Sequence, residues 1–246
     1  MAHRPGGRHV EKEDSFSTKQ DDHLPPNFNY KIEPVAITEN VNVGAYYYSY
    51  TAADWAKKYT NTPEKGEYNP LDPAIIAQHR QWADMGGIDF FIFNWNGAST
   101  GDPLLNAFIT GRNNNVKMVI NYNTAHLAAT NAAPLTGAKL TTMINELQAL
   151  AATHFSKDYY FKSGSQPVIL ISPLNLATAA AASIDFATVI PAVKQALKAA
   201  SADVYVMGEI TSGWLPPVRY APAIKAVDAV TLSNWSTDIY DRSVFF

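Results

Sequence analysis

Glu209 is the carboxylate best placed for chemistry in this sequence, because it follows Val204-Tyr205-Val206-Met207-Gly208, a run of strand composition, and so stands where that strand ends. A glutamate there can serve as general acid, general base or hydrogen-bond acceptor for a ligand; its competing role is to tie down a neighbouring loop. Other apolar runs end in aromatic and amide clusters, Tyr46-Tyr47-Tyr48-Ser49-Tyr50, Asn94-Trp95-Asn96, Asn121-Tyr122-Asn123 and Ser233-Asn234-Trp235. A different chemistry is suggested by Gly97-Ala98-Ser99-Thr100-Gly101, a G-x-S-x-G pattern between a strand and a helix. Its context argues against a nucleophile elbow: the helix is capped at Asp102-Pro103, too late for Ser99 to occupy the sharp turn. No histidine follows His154 to complete a Ser, acid, His order. Ser99 is left as part of a flexible loop or, remotely, as the nucleophile of a serine hydrolase.

Metal and thiol chemistry find no support. The six histidines are scattered, H-E-x-x-H and calcium-loop spacings are absent, and there is no cysteine. No cofactor is expected. Nineteen basic against twenty-two acidic residues give a formal charge of -3, which offers no electrostatic footprint for nucleic acid. With 47% hydrophobic and 17% charged residues in 246, the chain reads as globular, without a membrane span.

The elements that must position these residues alternate. Six strands are expected, Val41 to Tyr48, Ile88 to Trp95, Val116 to Tyr122, Val168 to Ser172, Val204 to Glu209 and Ala226 to Asn234, separated by stretches of helical spacing. Asp72-Pro73 and Asp102-Pro103 each put an N-cap acceptor before a proline suited to the first helical position. Gly86-Gly87 and Gly111 stand where left-handed C-terminal residues are wanted. Further helices are expected near Leu140 to Phe155 and within Asp185 to Ala200, the latter broken or restarted at Pro191. His79 falls on a helix and reads as structural. Without a G-x-G-x-x-G or P-loop pattern, the alternation favours a (β/α)₈ barrel over a doubly wound sheet, with the strand ends gathered at one mouth.

Residues 1 to 36 are set apart as a disordered polar leader, carrying Pro5, Gly6, Gly7, Asp21-Asp22 and Pro25-Pro26 with almost no adjacent aliphatic residues; 37 to 246 form the folded domain. No secretory h-region follows Met1. Either the protein stays inside the cell or an export signal is not in this sequence; a polar leader ahead of a compact domain fits the second.

Several segments together resemble the barrel of glycoside hydrolase families 71 and 99, the endo-α-mannosidase-like group. They are Val43-Gly44-Ala45-Tyr46-Tyr47-Tyr48, Leu71-Asp72-Pro73 with Gln78-His79 and Trp82, Met85 to Trp95, and Asp158-Tyr159-Tyr160-Phe161 ahead of Gln166-Pro167-Val168. The resemblance spans most of residues 41 to 236. It implies a (β/α)₈ TIM-barrel type of which about six of eight strand-helix units are present, and activity on α-linked glycans. In family 99 the paired catalytic glutamates lie in an Asn-Glu-Trp-type stretch near a late strand, and no such stretch occurs here. Two further units would need about 70 residues, so the barrel is expected to be incomplete, with unpaired edges unless another subunit covers them.

On that reading the partner is an oligosaccharide or polysaccharide. Glu209 is the candidate catalytic carboxylate and Asp238 the second, since glycoside hydrolysis uses two. Tyr46, Tyr48, Trp95, Tyr122 and Trp235 would offer aromatic faces to pyranose rings, with core packing as the alternative. Asn94, Asn121 and Asn123 would bond sugar hydroxyls or cap loops, and His126 would touch ligand. Tyr46, Trp95, Tyr122 and Glu209 must then gather around one hollow; a non-catalytic carbohydrate-binding relative is the alternative to an enzyme.

Overall fold

A computed structural model describes residues 41–48, 50, 52–57, 63–98, 102–111, 115–172, 184–210 and 221–232. The polar leader lies outside the described residues. The strands are β1 (Gly44–Tyr46), β2 (Phe90–Trp95), β3 (Lys117–Asn123), β4 (Lys162–Ser163), β5 (Gln166–Ser172), β6 (Tyr205–Ile210) and β7 (Ala229–Leu232). The helices are α1 (Ala52–Trp55), α2 (Pro73–Met85), α3 (Pro103–Thr110), α4 (Gly137–Leu150), α5 (Phe186–Ala199) and α6 (Ala221–Ala226).

Six strands pair in parallel in the order β1-β2-β3-β5-β6-β7, each beside the next parallel strand of the chain. A doubly wound sheet must reverse its order at a switch point; this one does not, and it curls into a half-barrel. Among the described residues β1 pairs with β2 alone and β7 with β6 alone.

The strands are apolar on both faces, as parallel strands under helices must be. Outward, Phe91, Phe93, Met118, Ile120, Ile169, Ile171 and Val206 meet Ile76 of α2, Leu105 and Phe108 of α3, Met143 and Leu147 of α4, and Val189, Ile190 and Val193 of α5. Inward, Phe90, Ile92, Val119, Val168 and Leu170 pack with Tyr46, Phe161, Tyr205 and Met207. The antiparallel β4–β5 hairpin turns at Gly164, whose φ of 61° suits the first central position of a tight hairpin. Its lead-in places Phe161 on Phe90, rings stacked at 4.2 Å, closing the floor of the half-barrel at the strands' N-terminal ends.

The capping expectations hold at the helix starts. Asp72 accepts from Ala74 N at 2.8 Å and Asp102 from Leu105 N at 2.8 Å, each ahead of proline at the first turn. The stops differ in detail: Gly87 is left-handed (φ 76°), whereas Gly86 (φ -79°) and Gly111 (φ -91°) are not. Pro191 does not break α5. The residue is exposed, and the buried stripe Phe186, Val189, Ile190, Val193 and Leu197 on the other face holds the helix through the one backbone bond that proline cannot make. The helix expected to end at Phe155 continues from α4 into a π-helical turn, Ala151–Phe155. The last strand starts later than expected, because Ala226 ends α6. No helix among the described residues is long and apolar enough to cross a membrane.

Gly44 tests the floor. A Cβ there would lie 2.2 Å from Phe90 Cε2, so Gly44→Ala must displace that ring from its stack on Phe161. The expected cost is about 1–3 kcal/mol. In thermal unfolding, Tm should fall for Gly44→Ala and recover in part when Phe90→Leu is added; equal Tm for wild type and Gly44→Ala would show that the floor is not close-packed.

Candidate functional site

Parallel register decides which strand-end residues can meet. Tyr46 aligns with Ile92, Asn94 with Asn121, Asn121 with Leu170, Leu170 with Met207, and Glu209 with Thr231, so these side chains lie on the inner face. That face changes from Phe90, Ile92, Val119 and Val168 toward the N-terminal ends to Asn94, Asn121, Asn123, Ser172, Glu209 and Thr231 toward the C-terminal ends. An apolar floor below a polar rim is the layout of a barrel mouth.

Tyr46 and Tyr48 stack with ring centres 5.8 Å apart and planes 14° from parallel. Burial raises the Tyr46 phenol first, and the nearby Glu209 carboxylate raises it further by its charge and a weak hydrogen-bonding approach. The Tyr46 hydroxyl is nevertheless buried without a well-formed hydrogen bond to a described residue. Tyr48, more than half exposed, is raised by burial and then by Glu209. Both phenols therefore stay neutral donors beside a carboxylate. Asn121 donates through Nδ2 to Asn94 Oδ1 at 2.7 Å, while its own Oδ1 is buried and unpartnered. Asn123 donates to Asn96 Oδ1 at 3.0 Å and accepts from Ala125 N at 3.0 Å, so it caps the 3₁₀ turn Thr124–Leu127.

Trp95 and Tyr122 do not join them. They align with each other and belong to the helix-facing core, stacked at 5.1 Å, with Tyr122 fully buried. The expected hollow of four residues thus receives Tyr46 and Glu209 but not Trp95 or Tyr122. Alternation along the strand is the reason: Asn94 and Asn121 point inward, so their C-terminal neighbours point out. His126 follows the same side. Its Nδ1 donates to Asn123 O at 2.6 Å, and its Nε2 lies 2.9 Å from Glu146 Oε2 of α4. Tyr122 Oη donates to the same Glu146 oxygen at 2.5 Å. Burial, then that bond, raise the Tyr122 phenol. Gly97 (φ 107°) lets His126 approach, since a Cβ there would lie 2.8 Å from His126 Cδ2.

Glu146 was not foreseen. Its signal was a carboxylate one step from the apolar stripe Met143, Leu147 and Leu150. Asp238, Trp235 and Ser99 lie outside the described residues. Among the described residues no three His, Asp or Glu side chains gather as a metal site.

No family model matches this sequence, and no curated protein matches it. Solved structures do share the fold. A "Glycoside hydrolase-like protein" aligns with TM-score 0.66 at 24% identity, over 88% of this chain and 66% of that one. The GH99 endo-alpha-mannosidase from Bacteroides thetaiotaomicron, solved with Bis-Tris propane, aligns with TM-score 0.55 at 15% identity, over 77% of this chain and 58% of that one. The chain thus spans less than two thirds of the length of either structure.

The Tyr122–His126–Glu146 group should act as a structural lock between the end of β3 and α4. Glu146→Ala leaves a buried phenol and a ring nitrogen without their acceptor, costing about 1–3 kcal/mol. Urea unfolding of Glu146→Ala, His126→Ala and the double variant should give a coupling energy above about 0.5 kcal/mol; strict additivity would mean that the group does not act as a unit.

Proposed function

We propose that this is a glycoside hydrolase-like protein that binds α-linked glycans of the α-mannan type at the inner strand ends, with Glu209 as principal acceptor. The observation that carries the reading is the convergence of Tyr46, Tyr48 and Glu209 on the polar rim of a half-barrel whose fold is that of glycoside hydrolase-like structures. A sugar presents alternating hydroxyl donors and acceptors above an apolar ring face. Glu209 accepts, the neutral Tyr46 and Tyr48 phenols donate, and Tyr48 exposes a ring face for stacking. The unpartnered Tyr46 hydroxyl and Asn121 Oδ1 are groups of the kind that a ligand or water completes. Asn94 holds Asn121 in place through its own amide.

Hydrolysis is the second reading. It calls for two carboxyl groups about 5–5.5 Å apart for retention or about 6.5–9.5 Å apart for inversion. Glu209 is the only acidic side chain on the inner face of the described strands, and Asp238 is the candidate partner. This favours binding as the property to test first.

Titrating the protein with α-mannan oligosaccharides by calorimetry should give binding that Glu209→Gln weakens about tenfold, the worth of one hydrogen bond to a charged group. Release of reducing ends, abolished by Glu209→Gln and by Asp238→Asn, would establish the enzyme. Binding without turnover would establish the binding relative, and absence of binding would overturn both.

A further inference from the structure

On the helix side of β1, where Tyr47 meets His79, lies a pocket of about 310 Å³ lined by Pro63, Glu64, Lys65, Tyr68, His79 and Trp82. It is built where the segment following α1 folds against α2, and its walls are aromatic. Ring contacts run from Tyr50 to Trp55 (5.3 Å), Trp55 to Tyr68 (5.1 Å), Tyr68 to His79 (5.2 Å) and His79 to Trp82 (5.7 Å). Trp82, at the end of this series, is 39% exposed. A large indole left open on a helix surface loses the hydrophobic gain that burial would bring, and beside a concave, polar-rimmed space it is a ready stacking face.

The polar side chains are arranged for neutral hydroxyl groups. His79 is held by a 2.9 Å hydrogen bond between its Nδ1 and the Tyr47 hydroxyl, and burial keeps its ring neutral. Burial also pushes the Tyr47 phenol up to about 12, so this pair brings no net charge to the pocket wall. With Tyr47 donating to Nδ1, the ring's Nε2–H is left as a donor. Glu64 and Lys65 stand exposed at the rim, one acceptor and one donor, and neither forms an ion pair among the described residues. Opposite charges side by side suit neither an anion nor a cation. They suit a polyol.

We infer that this pocket is a second carbohydrate site, which seats one hexopyranose unit of the bound glycan with its apolar face on Trp82 and its hydroxyls toward Glu64, Lys65 and His79. The sugar class rests on the function proposed above; the pocket itself rests on its own geometry. Its volume is at the lower end of the range for small-molecule sites, enough for a monosaccharide unit and too little for an oligosaccharide to be enclosed. The site therefore holds a chain in passing. It adds avidity for polymer by raising the effective concentration of glycan near the mouth, and affinity for a single sugar stays weak.

Indole N–H resonances separate the two sites. The chain has five tryptophans, and Trp82→Phe identifies the Trp82 signal. Titration of the full chain with methyl α-D-mannopyranoside should move the Trp82 indole, and the shift should persist in Glu209→Gln. Trp82→Ala should weaken retention on immobilised α-mannan about tenfold, the equivalent of one lost stacking contact. Circular dichroism establishes that the variant is folded, and Glu64→Gln with Lys65→Met supplies a second variant if it is not. A Trp82 indole unmoved by the sugar, with oligosaccharide binding still sensitive to Glu209→Gln, would overturn the second site and leave the mouth standing. A moving Trp82 indole with Glu209→Gln without effect on binding would support the pocket and remove the mouth. Retention on α-mannan equal in wild type and folded variants would also overturn the inference.

Discussion

Strand parity is the constraint on which the site depends. In a parallel sheet buried on both faces, a residue's place in the odd or even series decides whether it faces the helices or the barrel interior, and register transmits that choice from strand to strand. Tyr46, Asn94, Asn121, Leu170, Met207 and Glu209 share one face; Tyr47, Trp95, Tyr122, Ile171 and Gly208 share the other. A one-residue slip of a strand would turn its rim residues to the helix side, and in β6 it would drive Glu209 into the helix-facing core. The Phe90–Phe161 stack over Gly44 helps to hold the register at the floor.

The same parity explains what could be read from sequence. In Gly44-Ala45-Tyr46-Tyr47-Tyr48 the period of two alone puts Tyr46 and Tyr48 on one side, where their rings stack. Phe90 to Trp95 is harder to read. Both faces are apolar for four residues, so sequence marks the strand but hides which face Trp95 takes. Pairing settles the matter: Asn94 and Asn96 meet Asn121 and Asn123 on the inner side, which leaves Trp95 with Tyr122 in the helix-facing core.

Helix starts were legible because a cap is local: an Asp before a Pro satisfies the first N–H groups regardless of what packs on the helix. Interruptions were not, because tertiary packing decides them. Pro191 survives inside α5 because five buried side chains outweigh one missing backbone bond. The β4 hairpin, two residues a side, and the Glu146 acceptor lie below what periodicity can register, since each depends on a partner from a distant part of the chain.

The two faces of the sheet also divide the polar work differently. On the outer face, Tyr122, His126 and Glu146 complete one another, Glu146 Oε2 meeting both of the others. On the inner face the Tyr46 hydroxyl and Asn121 Oδ1 are buried and incomplete, although they stand on strands whose backbone is fixed by neighbours on at least one side. Each such group costs about 1–3 kcal/mol against a satisfied one. A core selected for stability alone would fill these positions with aliphatic side chains like Ile92, level with Tyr46, and Val119, one inward position below Asn121. The Tyr46 hydroxyl lies instead near Glu209, and Asn121 stands on the same inner face beside Asn94. The floor and the helix-facing core carry the fold that holds these two rim groups in place.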